Sequence, residues 1–376
     1  MKIPFGNLKV SSESRKYIED CLRTSMVSGG SKVKQLEETW GDLFNYKYNL
    51  AVSNGTDADI AACMTLYDFG AKRFANEEII SPALAFAAVG NSIVAAGFKP
   101  VFVDIKRDTM NIDPEKIEEK ITPKTKAIIA THTMGKPCDM EKIGEISEKY
   151  NLKVIEDCCE AHGGMYKGKY VGKWGDMATF SFYVAHIVSC GDGGMVSTDN
   201  EEIRNVLESI KYHGRKPGSL YFDHLRPGLN FRLNDLTASI GLPELKNFWE
   251  IFNKRKNNFY KLTEMTKDLQ PFVHFVKEEE GEVISPHAFS LILKDPKFNY
   301  HKLYNFLETK DIQCKRNFGS MPTQHKAFKD LEYKLGDFPE AEYVGDNGLH
   351  FGIHQFLEEQ DINYISDCLH EYFKKF

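Results

Sequence analysis

The chain has 376 residues, 42% hydrophobic and 27% charged, the balance of a globular protein with room for about two domains. Forty-eight Lys and Arg against 54 Asp and Glu leave a net charge of −6, which argues against a nucleic-acid binder. The longest weakly apolar stretch, residues 83–98, is broken by Gly90 and Asn91 and is too mixed to span a bilayer, and the opening MKIPFGNLKV lacks the apolar core of a secretory signal.

In chain order, residues 49–53 predict a strand, followed by a glycine turn and a helix over 57–70. Residues 78–80 predict a second strand that runs into the Ser81-Pro82 turn. Residues 99–103, 126–131 and 152–156 predict three more, with a helix over 140–150 between the last two. Strands over 178–183 and 195–198 flank a glycine-rich turn. Strand, helix and strand at this spacing predict a parallel sheet with crossover helices. Residues 233–265 then read as one or two long helices. A strand over 284–293 and helices over 301–310 and 364–373 follow. The expected organisation is α/β: a large domain, 1–245, with a mostly parallel central sheet, and a smaller α+β domain, 246–376.

Eight cysteines are scattered, and none forms a C-x-x-C pair. That usage predicts reduced cytosolic thiols packed as small hydrophobes, without the clustered ligands that zinc or iron–sulfur needs.

In an open parallel sheet, ligands bind at the carboxyl ends of the strands, so motifs just after strands carry the chemistry. Ser53-Asn54-Gly55-Thr56-Asp57-Ala58 puts a glycine turn at a helix start, where free N–H groups and the dipole favour an anion. Alone it reads equally as a plain cap, and Asp57 suits an anion only if its carboxylate turns away. Phe86 can stack on a planar ring or pack in the core. Asp157 falls at the end of the 152–156 strand, where a carboxylate can keep a pyridine nitrogen protonated or cap a helix; Glu160 follows one turn later. Ser181 can donate to a phosphate, and His186 can move protons or be a satisfied buried side chain. Asn230 and Arg232, in GLNFRLND before the long helix, can reach a ligand or cap that helix.

Taken together and in order, these motifs resemble one family. IPF at 3–5, SNGTDA at 53–58, SPALAF at 81–86, KPVFVDI at 99–105 and ITPKTKAII at 121–129 match it. So do EDCCEAHG at 156–163, GDMATFSFY at 175–183, GDGGMVST at 191–198 and GLNFRLND at 228–235. The chain resembles the sugar aminotransferases of the DegT/DnrJ/EryC1/StrS type, which use pyridoxal phosphate (PLP) and have the aspartate aminotransferase fold, PLP-dependent fold type I. The resemblance implies that Thr56, Asp57 and Ala58, with Ser181, hold the cofactor phosphate. It implies that Phe86 stacks on the pyridine ring, Asp157 pairs with the ring nitrogen, and Glu160 lies near the hydroxyl edge. It implies that Asn230 serves the neighbouring subunit's cofactor in a homodimer with shared active sites.

One position departs. The aminotransferases carry, where this chain has His186, the lysine that holds the cofactor as a Schiff base. Histidine forms no stable Schiff base but remains a general acid and base. SFYVAH at 181–186, with Glu160, resembles instead the nucleotide-sugar 3-dehydratase branch. There non-covalent pyridoxamine phosphate (PMP) condenses with a 4-keto-6-deoxy sugar and the C3 hydroxyl is expelled. The iron–sulfur version of that branch has cysteines between the histidine and the long helix, and residues 191–233 contain none. The resemblance is therefore to the cluster-free version, similar to GDP-4-keto-6-deoxymannose 3-dehydratases, which use L-glutamate to restore PMP. The implied role is deoxysugar and surface-polysaccharide biosynthesis in the cytoplasm, with no nucleic acid, membrane or metal involved. Two alternatives stand beside it: an aminotransferase whose lysine has been replaced by histidine, and a non-catalytic binding protein that kept the fold. Residues around Phe5, 28–30, 213–215 and 317–325 are expected near the sugar, where Phe318 and His325 depart from the family pattern.

Overall fold

β-Branched and aromatic residues are common in the strands, and asparagine, serine or aspartate side chains cap several of the helices, at Ser11, Asn54, Asp139, Asn200, Asn234 and Asn299. The computed structural model describes residues 3–220 and 222–376. In chain order the strands are β1 (Tyr48–Val52), β2 (Glu78–Pro82), β3 (Lys99–Val103), β4 (Thr125–Thr131), β5 (Lys153–Asp157), β6 (Met165–Tyr166) and β7 (Lys169–Tyr170). They continue as β8 (Met177–Ser181), β9 (Gly194–Thr198), β10 (Val273–Phe275), β11 (Glu282–Val283), β12 (Ala288–Leu293), β13 (Cys314–Arg316) and β14 (Gly348–Gly352). The helices are α1 (Ser12–Thr24), α2 (Ser31–Phe44), α3 (Gly55–Thr65), α4 (Ala88–Ala95), α5 (Met140–Tyr150) and α6 (Glu201–Lys211). They continue as α7 (Asp235–Lys246), α8 (Phe248–Met265), α9 (Tyr300–Thr309), α10 (Met321–Gln324), α11 (Pro339–Asn347) and α12 (Glu359–Phe373).

The central sheet has seven strands in the order β1-β9-β8-β5-β4-β2-β3. Strands β8, β5, β4, β2 and β3 pair in parallel. Strand β9 runs antiparallel to both β8 and β1, so β1 points the same way as the parallel set. Six carboxyl ends therefore gather along one edge, the edge where ligands bind in such sheets. A second sheet, β10-β12-β14-β13, is antiparallel throughout. Phe289 and Phe351, opposite each other on β12 and β14, stack with centroids 5.5 Å apart. Burying each such ring contributes about 2–3 kcal/mol.

Several expected elements take different bounds for identifiable reasons. The 233–265 segment is two helices that meet at Asn247, and Pro243, which has no N–H to donate, lies in the last turn of the first. Of the 284–293 segment only residues 288–293 form a strand, β12; residues 284–287, with Pro286, link it to β11 just before. Helix α3 stops at Thr65 and tightens into a 3₁₀ turn over Leu66–Asp68. Strand β8 ends at Ser181, so Phe182 and Tyr183 leave the sheet.

The expected division at residue 245 falls at the end of α7, yet the buried core runs across it. One apolar cluster joins Val52 and Ile155 of the first sheet to Phe289 and Leu349 of the second. Ile3 bridges to Ile312, and β11 pairs with β6. Ser285 N–H donates to Gly135 O at 3.0 Å. Gly135 has φ +80°, and a Cβ there would stand 1.8 Å from Ser285 O, so this seam closes only on glycine.

Candidate active site

The carboxyl ends of β1, β2, β4, β5 and β8 open onto a cavity of about 870 Å³. Its wall includes Thr56, Phe86, Asp157, Glu160, Ser181 and His186 of the expected site residues.

Strand β1 leads into the first turn of α3. The Asn54 side chain caps this helix by accepting from Asp57 N–H at 2.9 Å. Gly55 lies hard against Ser181, where a Cβ would stand 2.5 Å from the Ser181 Cβ. The turn and the Ser181 hydroxyl thus face the cavity side by side. The Asp57 carboxylate turns away and accepts from Ser53 Oγ and from Asn54 Nδ2. Neither Asp57 nor the fully buried Ala58 lines the cavity, and the Ala58 N–H closes the helix onto Asn54 O at 3.1 Å. Phe86 is 63% exposed at the opposite wall, its ring edge-on to Phe318 with centroids 6.0 Å apart.

Asp157 ends β5, buried, and accepts from Cys159 N–H at 3.1 Å; burial raises its carboxyl above the usual range. Glu160 accepts from Met134 N–H at 2.7 Å and lies 3.4 Å from His287 Nε2. Burial first, then the Asp157 charge, pushes the Glu160 carboxyl up to about 8. His186 sits in the tight turn after β8, its N–H donating to Tyr183 O at 2.9 Å. Its Nδ1 is buried without a hydrogen-bond partner among the described residues. Burial, aided by the Arg255 and Lys315 charges, pulls the imidazole down to about 3, so it is neutral at physiological pH.

A profile of the DegT/DnrJ/EryC1/StrS aminotransferase family matches residues 9–370. The chain belongs to this family. It is 30% identical over 381 residues to the GDP-4-keto-6-deoxy-D-mannose 3-dehydratase of Yersinia pseudotuberculosis, covering 96% of each chain. It is also 30% identical over 374 residues to the GDP-perosamine synthase of Vibrio cholerae, covering 99% of each. Among solved structures, the E. coli GDP-4-keto-6-deoxy-D-mannose 3-dehydratase with bound hydrated PLP superposes with a TM-score of 0.89 at 28% identity, over 98% of this chain and 99% of that one. The fold is that of the PLP-dependent aminotransferases of fold type I, and the chain is an enzyme of this PLP-dependent family.

The DegT-family cavity has the donor set that PLP or PMP needs. The open helix turn at Gly55 and Thr56, with Ser181, suits a phosphate. The buried Asp157 carboxylate suits a pyridinium, and three buried polar atoms on or beside the wall lack partners among the described residues: Thr131 Oγ1, His186 Nδ1 and His287 Nδ1. Asn230 is not part of this wall. It is exposed, and its Oδ1 accepts from Arg232 Nε at 2.9 Å. Phe5, Phe318 and His325 do line the cavity, while residues 28–30 and 213–215 do not.

Sequence reasoning missed several wall residues of this family member. Lys315 and His350 come from β13 and β14 of the second sheet, and His287 from the segment just before β12. The His287 ring lies 5.0 Å from that of His186, and Lys315 Nζ sits 3.9 Å over the Phe5 ring. Asp59, one helical turn inside α3, is 3% exposed and reaches the same wall. No local pattern marks it, because GTDADIAACMT reads as an ordinary helix start.

The fold also gathers side chains that looked scattered. His132, Glu156 and Cys158 come together, as do Asp59, Asp157 and Cys159. The first group is a structural knot: Glu156 accepts from the N–H groups of Gly172, Trp174 and Gly175 and lies 3.1 Å from His132 Nε2.

Proposed function

We propose that this enzyme removes the C3 hydroxyl of a nucleotide-linked 4-keto-6-deoxy sugar, using PMP that L-glutamate restores. The observation that carries the reading is His186: a buried, neutral imidazole at the cavity wall, in the position where the family's aminotransferases need a lysine. A neutral imidazole has one unprotonated ring nitrogen, which can accept a proton and return it.

Bound PMP supplies an amine that condenses with a keto group and a ring that takes up electrons. Thr56 and Ser181 bind and orient its phosphate, and Phe86 covers the ring face. Asp157 holds the proton on the ring nitrogen. Glu160, kept protonated up to about pH 8, presents a donor at the hydroxyl edge. His186 would take up the proton released at the bound cofactor and return it to the C3 hydroxyl, which would then leave as water. Without a lysine at residue 186, the cofactor stays non-covalent. Lys315 and Arg316 on the wall suit the carboxylate of glutamate or a nucleotide diphosphate.

We also infer a homodimer in which Asn230 serves the partner's cofactor. Its own loop supports this: Leu220 and Phe222 are 95% and 83% exposed, with Leu225 and Leu229 beside them. Eight unpaired cysteines favour the cytoplasm, and no helix among the described residues is long and apolar enough to cross a membrane.

The test is product mass. The protein is mixed with PLP, L-glutamate and a panel of nucleotide-linked 4-keto-6-deoxy sugars. A product that has lost one oxygen and carries no nitrogen supports dehydration. A product with an added amine and all its hydroxyls makes the enzyme an aminotransferase and refutes the reading.

A further inference from the structure

Asp59 stands in an environment that no isolated carboxylate tolerates. Helix α3 is buried on nearly every side, by Ala58, Ala61, Ala62, Cys63 and Met64 as well as Asp59 itself. The Asp59, Asp157 and Cys159 ligand atoms all lie within 4.8 Å of one another. Asp59 and Asp157 are 3% and 5% exposed, and neither forms an ion pair with Lys or Arg among the described residues. The groups around the pair are mostly neutral. Thr179 Oγ1 on β8 donates to Asp59 Oδ1 at 2.6 Å, and Cys159 N–H donates to Asp157 Oδ1. Cys63 on α3 and Cys158 and Cys159 after β5 are thiols that burial keeps protonated. His132, after β4, is engaged with Glu156. Thr131 Oγ1, on the strand paired with β5, stands beside the Asp157 carboxyl.

We propose that Asp59 and Asp157 work as one unit holding a single proton, with Asp157 facing the cofactor's pyridine nitrogen and Asp59 acting through it as a positioning residue. Two like charges this close and this dry do not both ionise. One carboxyl therefore stays a neutral acid at neutral pH. Burial and the neighbouring Asp157 charge both drive Asp59 toward that form. The pair then presents one negative charge, which matches one pyridinium. Kept neutral, Asp59 adds no second negative charge beside Asp157, which leaves that carboxylate a weaker base, so the second proton stays on the ring nitrogen. Thr179 fixes the far oxygen of Asp59 and so aims the unit. The placement of the ring nitrogen rests on the cofactor orientation proposed above; the shared proton does not.

The test is isotope-edited infrared spectroscopy of the full-length protein labelled with ¹³C-aspartate, with PMP bound and after its removal. We expect, at neutral pH, the carbonyl stretch of a buried neutral carboxylic acid, lost in Asp59→Asn and shifted in frequency in Asp157→Asn, where Asp59 loses its charged neighbour. If either variant fails to fold, Asp59→Leu replaces it, and titration of the wild-type band gives the same answer without a variant. A missing band, or one that survives loss of the Asp59 carboxyl, overturns the proposal. A second arm follows the ring nitrogen of bound ¹⁵N-labelled PMP, whose shift should move in Asp157→Asn. An unmoved shift beside a normal infrared band also overturns it, and assigns the failure to the cofactor's orientation rather than to the proton-sharing pair.

Discussion

The Arg255 guanidinium donates to the carbonyl oxygen of His186 at 3.2 Å, tying helix α8 to the turn that carries the proposed acid–base group. It also grips Ala185 O and Pro286 O, and its Nε reaches Gln355 Oε1 at 2.9 Å. One buried cation thus holds the His186 turn, the entry to β12 and the segment after β14. Arg255→Ala leaves these carbonyls without donors and should lower stability by about 3 kcal/mol, read as a drop in urea midpoint. Arg255→Lys keeps the charge but loses the planar fork. It should recover much of the midpoint while turnover stays depressed, since the His186 turn is no longer aimed.

His186→Asn keeps a neutral, polar, hydrogen-bonding side chain, though a smaller one, and removes its proton chemistry. Turnover should fall by a factor of roughly 100 to 10,000, while PMP still binds. Normal turnover in this variant would remove His186 from the mechanism. His186→Lys should allow borohydride to fix PLP covalently to the chain. Mass spectrometry after reduction reads the attachment directly.

Gly55→Ala tests the phosphate cradle. The added Cβ meets the rigid Ser181 Cβ at 2.5 Å and must push the helix turn away from the serine. We expect cofactor affinity to fall about tenfold or more, equivalent to about 1.4 kcal/mol, with the far-UV spectrum unchanged. An unaltered dissociation constant would show that the phosphate lies elsewhere.

The pH dependence of stability has two signs. His186 is held down to about 3 in the folded chain against 6.5 unfolded, so the folded state binds fewer protons between those values. Stability therefore drops as pH falls from 6.5 toward 3. Glu160 is raised to about 8 against 4.5, so the folded state binds more protons between these values. Its contribution is lost as pH rises from 4.5 to 8. Glu160→Gln should gain on the wild type at pH 8 relative to pH 5, as measured by denaturant midpoints.

Much of this architecture was legible because each early strand is a short apolar run closed by a turn residue. The 99–103 strand and the 140–150 helix have the bounds that their sequences predict. The motifs after β1, β2, β5 and β8 reached the cavity because a parallel sheet sends its carboxyl ends to one edge. Strand order was not legible, since it depends on pairing between distant segments. His287, Lys315 and His350 were missed for a related reason: Lys315 and His350 lie on β13 and β14, which no local pattern marked, and His287 precedes β12, whose approach to the first sheet depends on distant pairing. Asp59 was hidden because periodicity shows that α3 is helical, not that nearly all its faces are covered. Asp57 shows the reverse, a motif residue whose carboxylate the helix cap claims instead of the cavity.

The cavity wall draws on residues from Phe5 to His350, and Phe5 packs edge-on against His350 with ring centroids 5.3 Å apart. The first turn of the chain and its last strand thus meet at the binding site. During synthesis, the cradle at Gly55 and the carboxylate of Asp157 leave the ribosome long before the strand that closes over them. Contacts between such distant segments are slow to form. Ligand capture should therefore come as the final event of maturation, and a nascent chain stalled before β14 should bind no cofactor tightly.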